Sequence, residues 1–203
     1  YAGEGLDLGL YIAQVLDRQG TIALPEVSAF ASQNIELELE HRTYRILGHS
    51  GAKPVGDWLL KWEALYESER PQNFGDLDVF PPAVTRGTVD LATGMFGVTY
   101  GGFTNITLAL EGTRGLLLSE TDGLLFPLDA LALAGRFSYV TMRERLRFDA
   151  AVTTFGDALE FGGLARVEAN YTYGDGLKFG ATFVHFQSGA KNELSPFSGL
   201  DDL

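Results

Sequence analysis

Apolar and polar residues alternate one by one through most of this chain. In residues 6–12, for example, Leu6, Leu8, Leu10 and Ile12 alternate with smaller or polar residues. A period of two places apolar side chains on one face of a β-strand and polar side chains on the other. The sequence therefore predicts an all-β fold of about nine strands, several of them longer than the usual five or six residues of soluble sheets. The alternating segments are 6–12, 35–39, 58–66, 106–110, 131–139, 146–152, 165–173 and 177–183, with a less regular one at 87–100.

The predicted connections alternate between short and long. Short turns at one end and longer loops at the other are typical of antiparallel up-and-down transmembrane β-barrels, so we expect one barrel domain over residues 1–203. Within 36–45 the apolar residues move from odd to even positions, which predicts a bulge near 41–43. The short connections are 53–57, 101–105, 141–145 and 174–176, and the longer ones are 17–34, 68–85, 119–127, 156–162 and the tail from Ser188.

The sense of the alternation distinguishes a membrane barrel from a soluble one. In a membrane barrel the apolar side chains face lipid, whereas in a soluble barrel they face inward. Aromatic residues near predicted strand ends favour the membrane barrel, because such residues form girdles at the interface. The alternative is a soluble antiparallel sandwich or a lipocalin-like barrel with a solvated charged face. The predicted interfacial aromatic residues are Trp58, Trp62, Tyr66, Tyr139, Tyr171 and Tyr173.

Charged residues at the polar positions form the candidate pore lining. In a wet lumen their charge pattern would select the solutes that pass. The alternative role is structural, because paired charges of opposite sign fill and stiffen an interior. Glu36, Glu38 and Glu40 place three carboxylates on one predicted face, which is simplest to interpret as a solvated strand end. The candidates are Asp7, Glu36, Glu38, Arg45, Lys61, Glu63, Arg86, Asp90, Glu111, Arg136, Arg147, Asp149, Arg166, Glu168 and Lys178.

Composition excludes several other functions. The 15 basic and 27 acidic residues give a net charge of −12, without the basic stripe of a nucleic-acid-binding protein. Cysteine is absent, which excludes thiolate metal sites and a cysteine nucleophile. The three histidines are far apart in sequence, and no nucleotide-binding or nucleophile-elbow motif is present. We therefore predict no catalytic residue, no metal site and no cofactor.

Three stretches carry a resemblance to known proteins. Residues 47–63 have the sequence LGHSGAKPVGDWLLKWE, which has a strand–turn–strand pattern, and residues 100–111 have the sequence YGGFTNITLALE. The third stretch is FQSG at 186–189, followed by SPFSGLDD at 195–202. On these residues the chain resembles a poorly characterised group of porin-like outer-membrane β-barrels of proteobacteria. The resemblance implies a membrane-spanning barrel, with the third stretch as the last long loop before a closing strand.

The chain departs from that resemblance at its end. Outer-membrane barrels normally end in a strand with a terminal aromatic residue, whereas this sequence ends in Asp201, Asp202 and Leu203. Bacterial single-chain barrels also have even numbers of strands, and an open sheet edge in lipid leaves backbone groups unpaired. We therefore expect the 203 residues to be a segment of a larger barrel, without its closing C-terminal strand and without its N-terminal strands.

The expected function is passive passage of small solutes, or export alongside other envelope proteins, across a Gram-negative outer membrane. Selection would be steric and electrostatic, and no enzymatic activity is expected. The alternatives are a non-conducting scaffold barrel in an envelope complex and a soluble β-barrel that binds an apolar ligand. The expected partners are membrane lipid, lipopolysaccharide, and envelope proteins or further copies of the chain, but not nucleic acid.

Overall fold

A computed structural model describes residues 5–23, 38–76, 83–119, 122–125, 128–174 and 176–189. Strands dominate this part of the chain, which confirms the all-β prediction. Within these ranges the one helical segment is a 3-10 turn at Asp157–Leu159, and no helix is long and apolar enough to cross a membrane. The strands are β1 (Asp7–Leu16), β2 (Thr21–Ala23), β3 (Glu38–Glu40), β4 (Thr43–Val55), β5 (Trp58–Asp76), β6 (Ala83–Phe103), β7 (Ile106–Leu117), β8 (Leu131–Thr141), β9 (Leu146–Phe155), β10 (Gly163–Tyr173) and β11 (Leu177–Gln187).

Nine of these strands form one antiparallel sheet in the order β1–β4–β5–β6–β7–β8–β9–β10–β11. From β4 onward, each strand pairs with the next strand in the chain, so the predicted up-and-down order and the count of about nine are confirmed. The short strands β2 and β3 pair with each other in a separate sheet. Among the described residues no strand pairs with the outer edge of β1 or of β11, and the sheet is therefore open.

The short connections lie together at one end of the sheet, as predicted, and we call this the short-turn end. The β4–β5 turn contains Gly56, whose φ of 59° lies in the left-handed region that favours glycine. The longer connections lie at the opposite end. The short turns comprise residues 56–57, 104–105, 142–145 and 174–176, and the longer connections of the large sheet comprise 17–42, 77–82, 118–130 and 156–162.

The strand predicted at 36–45 begins later than expected. The structure has β4 at Thr43–Val55, and β3 at Glu38–Glu40 belongs to the small sheet. Between them, at 41–42, the chain leaves strand geometry at the place where a bulge was predicted. The backbone carbonyl of Arg42 accepts a hydrogen bond of 2.8 Å from the backbone N–H of Asp17, so β2 and β3 continue the β1–β4 hairpin after this interruption.

The connection predicted at 68–85 was also wrong, because most of it is strand. β5 continues to Asp76 and pairs with β6 from Ala83, which leaves only 77–82 as the connection. The register shifts between Glu67 and Arg70, so a bulge there accommodates the residues that interrupt the alternation. Charged and proline residues in this stretch therefore do not end the strand.

The strands are inclined to the line of short turns. A row of paired residues joins Trp58, the first residue of β5, to Phe183, the seventh residue of β11. The row therefore rises six residues across six strand-to-strand steps. With about 3.3 Å per residue and about 4.8 Å between strands, this corresponds to an inclination of about 35°. The row passes through Tyr100, Leu108, Phe137, Ala150 and Val167.

The register gives the sheet one apolar and one polar face. Residues paired across an antiparallel ladder lie on the same face, and successive residues of a strand alternate between faces. We call the face that contains the Trp58–Phe183 row the apolar face. The opposite face contains the row that joins Asp7, Lys61 and Glu111, and we call it the polar face.

The described residues contain almost no hydrophobic core. Val89 and Leu91 are the buried hydrophobic residues of this part of the chain. In contrast, Leu10 and Ile12 on the apolar face are 81% and 80% exposed, and many other large apolar side chains on this face are exposed as well. A water-soluble domain of this length normally buries such side chains, so the apolar face requires a cover that lies outside these residues.

β5 and β6 project beyond the rest of the sheet at the end with the longer connections. They have 19 and 21 residues, whereas the other seven strands of the sheet have 10 to 13. The small sheet lies against this projection. The guanidinium group of Arg86 on β6 donates hydrogen bonds of 3.3 and 3.1 Å to the carboxylates of Glu38 and Glu40. Asn73 on β5 exchanges two side-chain hydrogen bonds with the backbone of Ile22.

The segment after β7 also contacts the projection. The backbone N–H of Leu118 bonds to the carbonyl of Asp90, and the N–H of Gly75 bonds to the carbonyl of Gly123. Within β7, Gly115 lies on the polar face, and a Cβ at this position would lie only 2.0 Å from the carbonyl oxygen of Leu128. The connection between β7 and β8 therefore lies over the polar face at this glycine.

Arg86 is the main side-chain link between the small sheet and the projection, so we expect the variant Arg86→Met to loosen the small sheet. The chain has no cysteine, and a cysteine placed at the buried position Thr21 would report its opening. We expect about tenfold faster labelling of that thiol in Arg86→Met, because charged hydrogen bonds from a largely buried guanidinium are lost. Arg42→Met is the control, since Arg42 contacts only Glu40 in the small sheet and is more exposed. Equal rates in the two variants would contradict this role of Arg86.

Candidate functional site

The polar face brings together most of the predicted lining residues. Their positions in the pairing register lie on one face of the sheet, from β1 to β11. For example, Asp7, Lys61 and Glu111 belong to one row of paired residues, and Asp149 pairs directly with Glu168 in the next part of the sheet. The predicted residues on this face are Asp7, Lys61, Glu63, Glu111, Arg136, Arg147, Asp149, Arg166, Glu168 and Lys178.

Asp149 on β9 is the centre of the densest polar cluster on this face. Its Oδ1 accepts hydrogen bonds of 3.1 Å from Nη2 of Arg136 and 3.1 Å from Nη2 of Arg147. Its Oδ2 accepts a bond of 2.6 Å from Nε of Arg147, and the Ser138 hydroxyl donates a further bond of 2.5 Å to Oδ1. One carboxylate therefore holds two guanidinium groups and one hydroxyl in fixed positions.

Glu168 on β10 forms the neighbouring pair. It accepts a hydrogen bond from Nη2 of Arg166 and one of 2.7 Å from Nδ2 of Asn170. Together with the Asp149 cluster, these residues line a groove of about 580 Å³ whose floor includes Ala150 and Ala151. We call this group the arginine cluster, defined as Arg136, Arg147, Asp149, Arg166, Glu168 and Asn170.

A second polar contact lies near the other edge of the sheet. The hydroxyl group of Tyr11 on β1 donates a short hydrogen bond to the Glu63 carboxylate on β5, across the intervening strand β4. Gly48 of β4 permits this approach, because a Cβ there would lie 2.0 Å from the Tyr11 ring. The glycine thus makes room for a side chain that lies flat across its strand.

Four predicted lining residues that the structure describes lie elsewhere, namely Glu38, Arg45, Arg86 and Asp90. Glu38 is in the small sheet, where its carboxylate pairs with Arg86. Arg45 pairs with Gln14 and alternates with Ile46, and it therefore lies on the same face as Leu47, the apolar one. Asp90 lies opposite the bulge of β5, and its carboxylate accepts a hydrogen bond of 2.9 Å from the backbone N–H of Glu69.

These misassignments have separate causes. Glu38 leaves the polar face because β3 pairs with β2 and not with the large sheet. Arg45 and Asp90 each have the parity of apolar residues on their own strand, Leu47 and Tyr100, in segments whose alternation is irregular. Arg86 also departs from the predicted lining because it faces the small sheet. Glu36 lies outside the described residues.

The predicted interfacial aromatic residues all lie on the apolar face. Trp58, Tyr139, Tyr171 and Tyr173 lie near the short-turn end, as expected, whereas Tyr66 lies toward the opposite end of the sheet. The sequence pattern did not single out Tyr100 or Phe103, which extend the group at the short-turn end. The rings of Trp58 and Tyr100 have centroids 4.6 Å apart, and those of Tyr100 and Phe103 are 5.1 Å apart.

Trp62 differs from the prediction in its height on the sheet. It pairs with Gly51 and Phe96, four residues further along β5 than Trp58, and lies away from the strand end. A Cβ at Gly51 would lie 2.2 Å from the Trp62 ring, so the indole covers the glycine. This cross-strand pair explains why a large side chain packs in the middle of the apolar face.

Glu40 lies in the small sheet, outside the large one, and the pKa of its carboxyl group is lowered. Hydrogen bonding to Arg42, and then the charges of Arg42 and Arg86, lower the pKa of Glu40 below its ordinary value of 4.5. Its Oε1 lies 2.9 Å from Nε of Arg42, and its Oε2 lies 3.1 Å from Nη1 of Arg86. The ionised form of Glu40 therefore links the small sheet to the projection.

The described residues contain no group of three His, Asp or Glu side chains that could hold a metal ion. His41 bonds through Nδ1 to the backbone carbonyl of Asp17 at 2.8 Å, and His49 lies beside the Trp62 ring with centroids 6.3 Å apart. The sequence analysis did not include Ser138, Asn170 and Tyr11 among the candidate site residues, although alternation places each of them on the polar face. Each lies next to a charged residue on that face, and this proximity was the signal that could have identified them.

Comparisons with known proteins provide no relative for this chain: no family model, curated protein or solved structure matches it. The resemblance to porin-like barrels therefore stays a prediction from the sequence.

We expect Asp149→Asn to lower stability more than the other single substitutions of this face. The amide cannot neutralise Arg136 and Arg147, so two like charges stay close together. The midpoint of urea unfolding, followed by circular dichroism, should show a loss of about 1 to 2 kcal/mol. Glu111→Gln is the matched control on the same face and should change stability by less than about 0.5 kcal/mol. Equal losses in both variants would show that the Asp149 contacts do not stabilise the sheet.

Acid should release the small sheet. Because the folded protein lowers the pKa of Glu40, its pairs stabilise docking fully above pH 4.5, and this contribution is lost as the pH falls through the lower folded pKa. The thiol of Thr21→Cys, probed with a pyridyl disulfide that reacts in acid, should become accessible in this range. A cysteine at the exposed position Arg18 corrects for the reagent's own pH dependence. In Glu40→Gln the acid-dependent increase should be smaller, and an unchanged increase would assign it to another group.

Proposed function

We propose that this chain is part of a membrane-spanning β-barrel of a bacterial outer membrane, through whose lumen small solutes pass. The observation that carries the proposal is the arrangement of the two faces. Exposed Leu, Ile, Phe and Val side chains cover one face, whereas ion pairs and small polar residues cover the other. A barrel with lipid outside and water inside requires this arrangement.

The apolar face argues for lipid as its cover. Large side chains such as Leu10, Leu110, Phe179 and Phe183 are more than half exposed across the width of the sheet. In water, so broad an apolar surface favours association, while hydrocarbon accommodates it without cost. Tyrosine and tryptophan near the short-turn end fit the boundary between hydrocarbon and headgroups. Membrane lipid and, on the outer leaflet, lipopolysaccharide are the proposed partners of this face.

Strand length and inclination support the same function. Seven of the nine strands have 10 to 13 residues, close to the 9 to 11 that cross a bilayer at a tilt. The inclination of about 35° lies within the range of outer-membrane barrels. Short turns at one end and longer connections at the other are also typical of them.

The polar face supports passage of solutes. Its charged side chains are spread from β1 to β11, and alanine, glycine and threonine between them leave space for water. Selection in such a lumen is steric and electrostatic, and requires no chemical step. The open edges of the sheet must then be paired, either by other strands of the barrel or by further subunits.

A non-conducting scaffold barrel is the second candidate. The contact of Leu128 with Gly115 favours it, because the connection between β7 and β8 covers part of the polar face. A third candidate, a soluble barrel around an apolar ligand, requires the apolar face to turn inward.

Lipid contact can be tested with the two tryptophans of the chain, Trp58 and Trp62. Both lie on the apolar face, and four residues along a strand inclined by about 35° place them at depths that differ by about 11 Å. In vesicles that contain brominated lipids, we expect strong quenching of both. In Trp58→Phe the remaining fluorescence comes from Trp62, and bromines deep in the acyl chains should quench it best. In Trp62→Phe it comes from Trp58, and bromines near the headgroups should quench it best.

A polar-face tryptophan is the control for that experiment. Thr113→Trp, in a chain with both native tryptophans changed to Phe, should escape lipid quenching and respond to acrylamide. A protein that stays soluble without detergent, with native tryptophans unaffected by brominated lipid, would reject the membrane barrel in favour of the soluble one. If quenching is observed, planar-bilayer recordings separate the channel from the scaffold, since only the channel gives stable conductance steps.

A further inference from the structure

The charges of the polar face are divided between two halves of the sheet. On strands β8 to β11 this face carries four basic residues and two acidic ones, Asp149 and Glu168. Among the side chains that the structure describes on strands β1 to β7, this face carries four acidic residues and two basic ones, Lys61 and Arg70. The four basic residues of β8 to β11 are Arg136, Arg147, Arg166 and Lys178, and the four acidic residues of β1 to β7 are Asp7, Glu63, Glu67 and Glu111.

This division is unexpected in a chain with a net charge of −12. The acidic excess of the whole chain repels anions, so a local basic excess must come from placement. Pairing of strands β8, β9 and β10 collects three arginines within two strand spacings. Arg136 and Arg166 both pair in register with Ala151, and their Cα atoms are therefore about 10 Å apart.

The carboxylates of the arginine cluster orient the guanidinium groups without using all their donors. A guanidinium group has five N–H donors. The bonds described for Arg136 and Arg166 each use one nitrogen, Nη2, toward Asp149 and Glu168. Both side chains are more than half exposed, at 60% and 54%, and both line the groove.

The groove has the size and lining of a binding site for a small solute. Its volume is about 580 Å³, and the small side chain of Ala151 lies between Arg136 and Arg166. Ala150 and Asn170 also line it. Three guanidinium groups against two carboxylates leave one positive charge uncompensated. Planar N–H donors of arginine match the oxygen atoms of carboxylate, phosphate or sulfate.

From these observations we propose that the arginine cluster binds the oxyanion group of a small solute. The uncompensated charge attracts the anion, and the donors of Arg136 and Arg166 bond to it from opposite sides of Ala151. Asp149 and Glu168 act as positioning residues that hold the guanidinium groups in place. The inference rests on the proposed function insofar as it names anionic solutes as the class that the lumen handles; binding itself does not require an open lumen.

The test uses inorganic phosphate as the probe and the whole chain folded in detergent. Binding is measured by isothermal titration calorimetry at low ionic strength, because screening weakens exposed charges. We expect Arg136→Gln and Arg166→Gln each to weaken phosphate binding about tenfold, as expected for the loss of charge-assisted hydrogen bonds. Arg136→Lys, which keeps the charge but loses the planar donors, should fall between the wild type and Arg136→Gln.

Arg18→Gln is the matched control. It removes the same charge from an exposed residue at the opposite edge of the sheet, next to β1. If Arg18→Gln weakens phosphate binding as much as Arg136→Gln, a diffuse charge effect replaces the site and the inference is overturned. The absence of phosphate binding to the wild-type protein also overturns it. Circular dichroism spectra of each variant establish that it is folded.

Bilayer recordings separate this inference from the proposed function. If the protein binds phosphate but gives no conductance, the proposed binding site is supported and the proposed channel function is rejected. If it gives stable conductance but does not bind phosphate, the channel function is supported and the binding site is rejected. If both hold, reversal potentials in a phosphate gradient should shift toward cations in Arg136→Gln and not in Arg18→Gln.

Discussion

The hydrogen-bonded register between neighbouring strands is the constraint on which every other feature depends. Each pairing decides which side chains share a face, and a slip by one residue would exchange the polar and apolar faces of a whole strand. Asp149 meets Arg136 because β8 and β9 pair as they do, and Glu168 follows because β10 continues the same row. Cross-strand ion pairs and aromatic–glycine pairs in turn favour this register over its neighbours.

Much of the fold follows from local pattern. Strands β7 to β11 lie close to their predicted positions, because each alternates without interruption and has a short turn at one end. The start of β4 and the lengths of β5 and β6 did not follow. Residues 35–40 alternate as regularly as a strand of the large sheet, yet β3 pairs with β2. Which partner a strand finds is a tertiary property that its own alternation does not encode.

The candidate site was predictable to a similar extent. The members of the arginine cluster occupy one parity on three uninterrupted strands, so alternation assigned them to one face. Their hydrogen-bonding pattern was not predictable, because it depends on which residues stand opposite each other. Arg45 and Asp90 show the limit most clearly: each has the parity of apolar residues on its own strand, Leu47 and Tyr100. Where alternation is irregular, the face of a residue is decided by strand pairing, which one sequence alone does not specify.

The small sheet and the projection form a second level of organisation above the large sheet. Here the described chain buries Val89, Leu91 and the polar residues Thr21 and Glu67, while most side chains of the sheet below are exposed or half-buried. The contacts of Arg86 that join the projection to the small sheet are charged hydrogen bonds and not apolar packing. Stability at this end therefore depends on ionisation, and stability of the sheet itself depends on backbone pairing and on whatever covers its apolar face.

An odd strand number has a consequence for how the open edges are paired. With nine antiparallel strands, β1 and β11 both run from the short-turn end toward the longer connections. A uniformly antiparallel ring therefore needs an odd number of additional strands between them. Two copies related by a two-fold rotation about the barrel axis would instead place β11 of each copy beside β1 of the other, in parallel. Backbone hydrogen bonds are perpendicular to the strands in an antiparallel pair and slanted in a parallel pair. The hydrogen bonds at the joined edges therefore distinguish a ring completed by other strands from one completed by a second copy.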